Sequence, residues 1–151
     1  MSECIILGDG AKIAIKAISY ERARADNISD ANWIACNVIL DIPPFCGEFE
    51  ASFSAEDFRY FERELGLLSD SLAGKAVFET DEGALRLLLV MRSRGEVTVE
   101  GEAVFVGTAR TSLKFRFSSD QSYLDDLLRG IGTITREFPV KGHVGGPSSR
   151  S

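Results

Sequence analysis

The hydrophobic period of this chain switches from two residues to 3.6, returns to two, and switches to 3.6 again. Few folds accommodate that order. Apolar and polar residues alternate over 3–7, 11–19, 33–42 and 48–53, which reads as four strands. Phe58, Phe61, Leu65 and Leu68 then recur at helical spacing and form one apolar stripe. Alternation resumes over 75–81, 84–92, 96–106 and 110–117. A second helical stripe follows, carrying Tyr123, Leu124, Leu127, Leu128, Ile131, Ile134 and Phe138. Strands joined by short turns pair antiparallel, and amphipathic helices must cover sheet faces. The predicted class is α+β: antiparallel β-sheet layers of about eight strands with two amphipathic helices, order ββββαββββα.

The punctuation agrees with that order. Gly8-Asp9-Gly10, Glu82-Gly83 and Gly107-Thr108-Ala109 are hairpin turns, and 21–32 is a polar, charge-rich loop. Pro43-Pro44-Phe45-Cys46-Gly47 is read as a turn, since proline has no N–H for a strand ladder. The inward faces of the hairpin around it are Ile34, Cys36, Val38, Leu40 and Ile42, and then Phe49, Ala51 and Phe53. Ser54 with Asp57 resembles a capping box opening the first helix, and Ser119-Asp120 caps the second. Gly130 and Gly132 each cost that helix about 1 kcal/mol relative to alanine, which predicts close approach to the sheet. Pro139 ends it. The run from Ala84 to Met91 is apolar on both faces except at Arg86, so it is expected at the centre of a sheet, covered on both sides. Residues 1–140 form a single domain in this reading, and 141–151 a flexible tail rich in Gly, Ser and Pro.

The 151 residues are 44% hydrophobic and 26% charged, ordinary for a globular chain able to bury a core. The net charge is −6, and residues 1–138 hold 15 basic against 23 acidic side chains, a balance of −8. An acidic body weighs against nucleic-acid binding and favours encounter with a basic protein. No run of eighteen apolar residues suits a membrane, and the first residues lack a signal-peptide pattern, so a cytoplasmic location is expected. The oligomeric state is not legible.

The catalytic inventory is thin, and the chain reads as a binding protein, not an enzyme. Its one histidine, His143, lies in the Gly-rich tail with no scaffold to hold a proton shuttle. Cys4, Cys36 and Cys46 lack metal-ligand spacing and read as small apolar fillers. No metal or cofactor is expected.

The charges divide into answered and unanswered sets. Pairing about Thr108 sets Glu102 opposite Lys114 and Glu100 opposite Arg116, and pairing across Glu82-Gly83 sets Glu79 against Arg86. In the hairpin 33–53, matching Leu40 with Phe49 and Val38 with Ala51 puts Asp41 opposite Glu48 and Ile39 opposite Glu50 on the outward face. Asp41, Glu48 and Glu50 then share that face without a base in either strand, near Trp33 at the strand start. Like charges across strands are destabilising. Either a third strand brings the missing base, or solvent screens the charges, or the face binds a partner with Trp33 as aromatic anchor.

Several strings together carry a family resemblance. They are Asp30-Ala31-Asn32-Trp33, Phe45-Cys46-Gly47-Glu48, Ser54-Ala55-Glu56-Asp57-Phe58 with Phe61 and Glu64-Leu65, Asp120-Gln121-Ser122-Tyr123-Leu124, and Glu137-Phe138-Pro139-Val140. From Ile5 to Lys141 the order and spacing resemble the WapI-like bacterial immunity protein family. The resemblance implies a cytoplasmic, non-catalytic protein that neutralises a cognate toxin by binding its basic nuclease domain. It supplies no catalytic residue and no rule for the acidic hairpin. A small-ligand-binding or enzyme-accessory domain is the alternative, and a large apolar pocket would favour it.

Overall fold

The computed structural model describes residues 1–21 and 31–142. His143 and most of the predicted tail lie outside the described residues, as does most of the predicted polar loop. The strands are β1 (Ser2–Gly8), β2 (Ala11–Tyr20), β3 (Trp33–Ile42), β4 (Phe45–Ser54), β5 (Lys75–Glu79), β6 (Leu85–Met91), β7 (Glu96–Val106) and β8 (Arg110–Asp120). Helix α1 (Ala55–Ser71) follows β4, and α2 (Gln121–Glu137) follows β8. Two antiparallel four-stranded sheets, β1-β2-β3-β4 and β5-β6-β7-β8, each run in sequence order. The α+β class and the order ββββαββββα are therefore as the periodicity predicts.

Both helices start where their caps dictate. Ser54 Oγ accepts the Glu56 N–H at 3.2 Å, and Asp57 Oδ2 accepts the Ser54 N–H at 3.0 Å, closing the capping box. Asp120 accepts the N–H groups of Ser122 and Tyr123. The α1 stripe of Phe58, Phe61, Leu65 and Leu68 is fully buried, as are Leu124, Leu127, Ile131 and Ile134 of α2. These residues and the inward faces of both sheets form one hydrophobic cluster. Aromatic contacts tie the sheets together within it, with Phe53 and Phe78 at 5.3 Å between ring centres.

Two glycines mark backbones that nearly touch. A Cβ on Gly130 would lie 2.9 Å from Cys4 Cα, so α2 approaches β1 as the sequence predicts. A Cβ on Gly8 would fall 2.3 Å from the Ser118 carbonyl oxygen. There β1 and β8 form a corner, with Asp9 N–H donating to Ser118 O at 2.8 Å and Ser119 Oγ to Leu7 O at 2.5 Å. Gly8 thus serves packing more than its turn.

Two expectations need correction. The turn between β3 and β4 uses only Pro43 and Pro44, so β4 begins at Phe45 and not at 48. Val38 faces Phe49, Leu40 faces Gly47, Ile39 faces Glu48, and Asp41 faces Cys46. The predicted pairs Leu40–Phe49, Val38–Ala51, Asp41–Glu48 and Ile39–Glu50 are each displaced by two residues. A two-residue slip preserves the side-chain faces, so the inward set is unchanged. The second correction concerns β6, which is central as predicted but covered on one side. Leu85, Leu87, Leu89 and Met91 are buried, while Leu88 and Val90 on the other face are half-buried because both helices pack toward the inner faces.

Candidate functional site

Strand β4 is an edge of the first sheet, and it leaves the core progressively along its length. Phe53 is buried, Phe49 half-buried and Phe45 59% exposed, although all three point to the inward face. The β7–β8 hairpin of the other sheet does the same, from buried Val97 and Val99 to Phe105 at 47% exposure. Between the two hairpin tips lies an open apolar cleft of about 490 Å³, whose walls include Leu40, Phe45, Phe49, Ala103, Phe105 and Leu113. The Phe49 and Phe105 rings meet across it at 5.9 Å. On the other side of that contact is a second depression of about 440 Å³, bordered by Glu50, Glu82, Glu102 and Arg110.

The outward side of β4 carries Cys46, Glu48 and Glu50, all exposed. Register separates the three predicted acids. Asp41 has Lys12 directly opposite on β2, so a third strand does bring it a base. Glu48 and Glu50 face the neutral residues Ile39 and Asn37, and Asn37 Nδ2 donates to Glu48 Oε2 at 2.5 Å. Lys16 stands opposite Asn37 on its other side, roughly 10 Å from Glu50 at two strand spacings. Trp33 is half-buried on the same outward face, opposite Ser54. Ser54 lies four positions from Glu50, roughly 13 Å along the strand, so Trp33 does not stand beside the acids.

The cysteines also divide. Cys4 and Cys36 are buried, and burial raises both thiols, that of Cys36 to about 12. Such thiols are inert apolar fillers. Cys46 is exposed at the mouth of the cleft, so the filler reading does not hold for it. Among the described residues, no group of three or more His, Cys, Asp or Glu could hold a metal ion. No helix among the described residues is long and apolar enough to cross a membrane.

Four of the sequence strings that carry the family resemblance fall in two places. In the first, the Asn32 carbonyl accepts the Ala55 N–H at 2.9 Å, while its side-chain amide bonds the backbone of Lys141 in both directions, at 2.6 and 3.2 Å. Beside it Tyr20 donates its hydroxyl to Pro139 O at 2.5 Å, and the Lys141 ammonium lies 3.7 Å above the Tyr20 ring. These contacts clamp the chain after α2 against the entry to β3 and the start of α1. In the second place, Phe45-Cys46-Gly47-Glu48 forms a wall of the apolar cleft.

Compared with known families, residues 4–139 match the model of the immunity protein WapI-like family. The chain belongs to that family. No curated protein matches it. Among solved structures it is similar to a chain in the CdiA-CT/CdiI toxin and immunity complex from Enterobacter cloacae. Identity is 10% and the TM-score 0.44, over 79% of this chain and 97% of the other.

Phe45 and Phe105 are the site residues that sequence reasoning missed. Once the turn is reduced to its two prolines, Phe45 falls in step with Phe49 and Phe53 on the inward face. That parity was the available signal. The proximity of Phe45 to Phe105 had none, because it arises between sheets.

Proposed function

We propose that this member of the WapI-like family is a non-catalytic immunity protein, acting in the cytoplasm, that neutralises a cognate bacterial toxin by binding it. The family match over residues 4–139 carries the reading. The toxin is proposed to be a nuclease, whose phosphate-binding active site is basic, and the balance of −8 over residues 1–138 has the complementary sign. Asp41, Glu48 and Glu50 are the proposed contact acids, with Trp33 as an aromatic at the far end of the same face. Their neutral or singly matched surroundings support Glu48 and Glu50 more strongly than Asp41.

The test is co-expression of the chain with the toxic domain of a secreted toxin from the same organism. The wild-type chain should protect the cells. Asp41→Lys, Glu48→Lys and Glu50→Lys together should abolish protection while the melting temperature is retained. A folded triple variant that protects like wild type rules this face out.

One observation favours a second reading. The cleft of about 490 Å³ lies within the usual range for small-ligand sites and is walled largely by apolar side chains. A small-molecule-binding or enzyme-accessory role would use that volume.

A further inference from the structure

The free edges of the two sheets differ in charge, and that difference selects a partner. Strand β1 is held at its corner with β8, and the β5 edge is covered by α1, whose Glu64 carboxylate accepts the Val77 N–H at 2.7 Å. Among the described residues, no strand pairs with the outer edge of β4 or of β8. The exposed half of β8 is basic on its outward face, with Arg110, Lys114 and Arg116. The exposed half of β4 carries Glu48 and Glu50 outward and Phe45 and Phe49 inward. Charged residues on an edge discourage strand addition by chains of the same sign and admit those of the opposite sign.

We infer that β4 from Phe45 to Glu50 is a docking edge for an extended segment of a basic protein, with the cleft beside it as the socket for that segment's apolar side chains. This deepens the immunity reading and rests on it. An added strand continues the pleat of its neighbour, so its side chains alternate between the same two faces. Residues beside Phe45 and Phe49 would enter the cleft against Phe105 and Leu113. Residues beside Glu48 and Glu50 would meet two carboxylates, so lysine or arginine belongs there. Glu82 and Glu102 extend the acidic border past the Phe49–Phe105 contact, where Arg110 is, among the described residues, the lone base lining the second depression. Six residues of edge span roughly 20 Å, enough for a peptide of three inward and three outward side chains.

The experiment is amide hydrogen exchange on the purified chain, alone and with the toxic domain it protects against, combined with binding of two variants. On complex formation the amides of 45–50 should slow at least tenfold. Phe45→Glu, at a position already 59% exposed, should weaken binding at least a hundredfold with an unchanged melting temperature. Lys114→Glu on the other edge should change affinity less than threefold. If the toxic domain binds but 45–50 exchanges as in the free chain, the docking edge is wrong while the immunity reading survives. If the toxic domain does not bind at all, both fail. A small apolar molecule released from the purified chain on denaturation, and lost in Phe45→Glu, would assign the cleft to a ligand and overturn the proposal. The exchange measurement on the unsubstituted chain decides the matter even if the variant does not fold.

Discussion

The two halves of this molecule are built alike, four antiparallel strands and then a helix, yet they treat their acids differently. In the second sheet three outward acids have a base directly across the hairpin, and a fourth, Glu96, faces Asp120, the cap of α2. Glu79 faces Arg86, with an ion pair at 2.8 Å, Glu100 faces Arg116 and Glu102 faces Lys114. In the first sheet Lys12 answers Asp41, but Glu48 and Glu50 at the edge face neutral residues. The inward faces differ less, since both supply aromatics to one core. What distinguishes the halves is therefore the surface, and the unanswered surface adjoins the cleft.

The largest effect should come from breaking what the halves share. Phe78 of β5 is fully buried and contacts Phe53, Phe58 and Phe61. Phe78→Ala should cost about 3–5 kcal/mol in urea unfolding. The loss should appear in a single transition followed by both near- and far-ultraviolet dichroism. Two separated transitions would mean that the halves unfold independently.

A smaller loss is expected at the clamp that closes the molecule. Asn32→Ala removes both side-chain bonds to Lys141 and should cost about 1–3 kcal/mol by the same measurement. Exchange of the Lys141 amide should accelerate more than that of the β5–β8 amides.

Charge reversal tests the comparison itself. Glu102→Lys faces Lys114 and should destabilise by about 0.2–1 kcal/mol. Glu50→Lys faces neutral Asn37 and, as a surface substitution, should stay within about 0.5 kcal/mol of wild type. Equal losses at the two sites would remove the distinction between answered and unanswered acids.

The two helix caps should differ in pH dependence. Burial, together with nearby Asp81 and Glu56, raises the Asp57 carboxyl from 3.8 to about 6, against the Ser54 N–H that lowers it. An acid raised on folding holds its proton longer in the folded state, so stability should fall as pH rises from about 4 to about 6. Asp57→Asn should flatten that slope in thermal melts. Asp120 is lowered, chiefly by the Ser122 hydroxyl, so its contribution is present above its unfolded pKa and lost on acidification through the folded one. Asp120→Asn should therefore lower the melting temperature near neutral pH and converge with wild type in more acidic solution.

Much of this architecture can be read without coordinates, for reasons visible at particular residues. Alternation through Ile34, Cys36, Val38 and Leu40 and helical spacing through Phe58, Phe61 and Leu65 are local properties of burial, and they determined element order and faces. Symmetric turns about Thr108 and Glu82-Gly83 determined two registers of the second sheet correctly. The register at Pro43-Pro44 escaped because turns of two and of four residues leave the same faces inward. The acids of the candidate site were legible as a cluster, but their neutralisation was not. Lys12 reaches Asp41 through the pairing of β2 with β3, across a connection of more than ten residues. Tertiary packing alone decided that Phe45 and Phe105 border a cleft, that Gly8 lets β1 approach β8, and that Asn32 holds Lys141. Such contacts depend on where distant backbones meet, which periodicity along the chain does not encode.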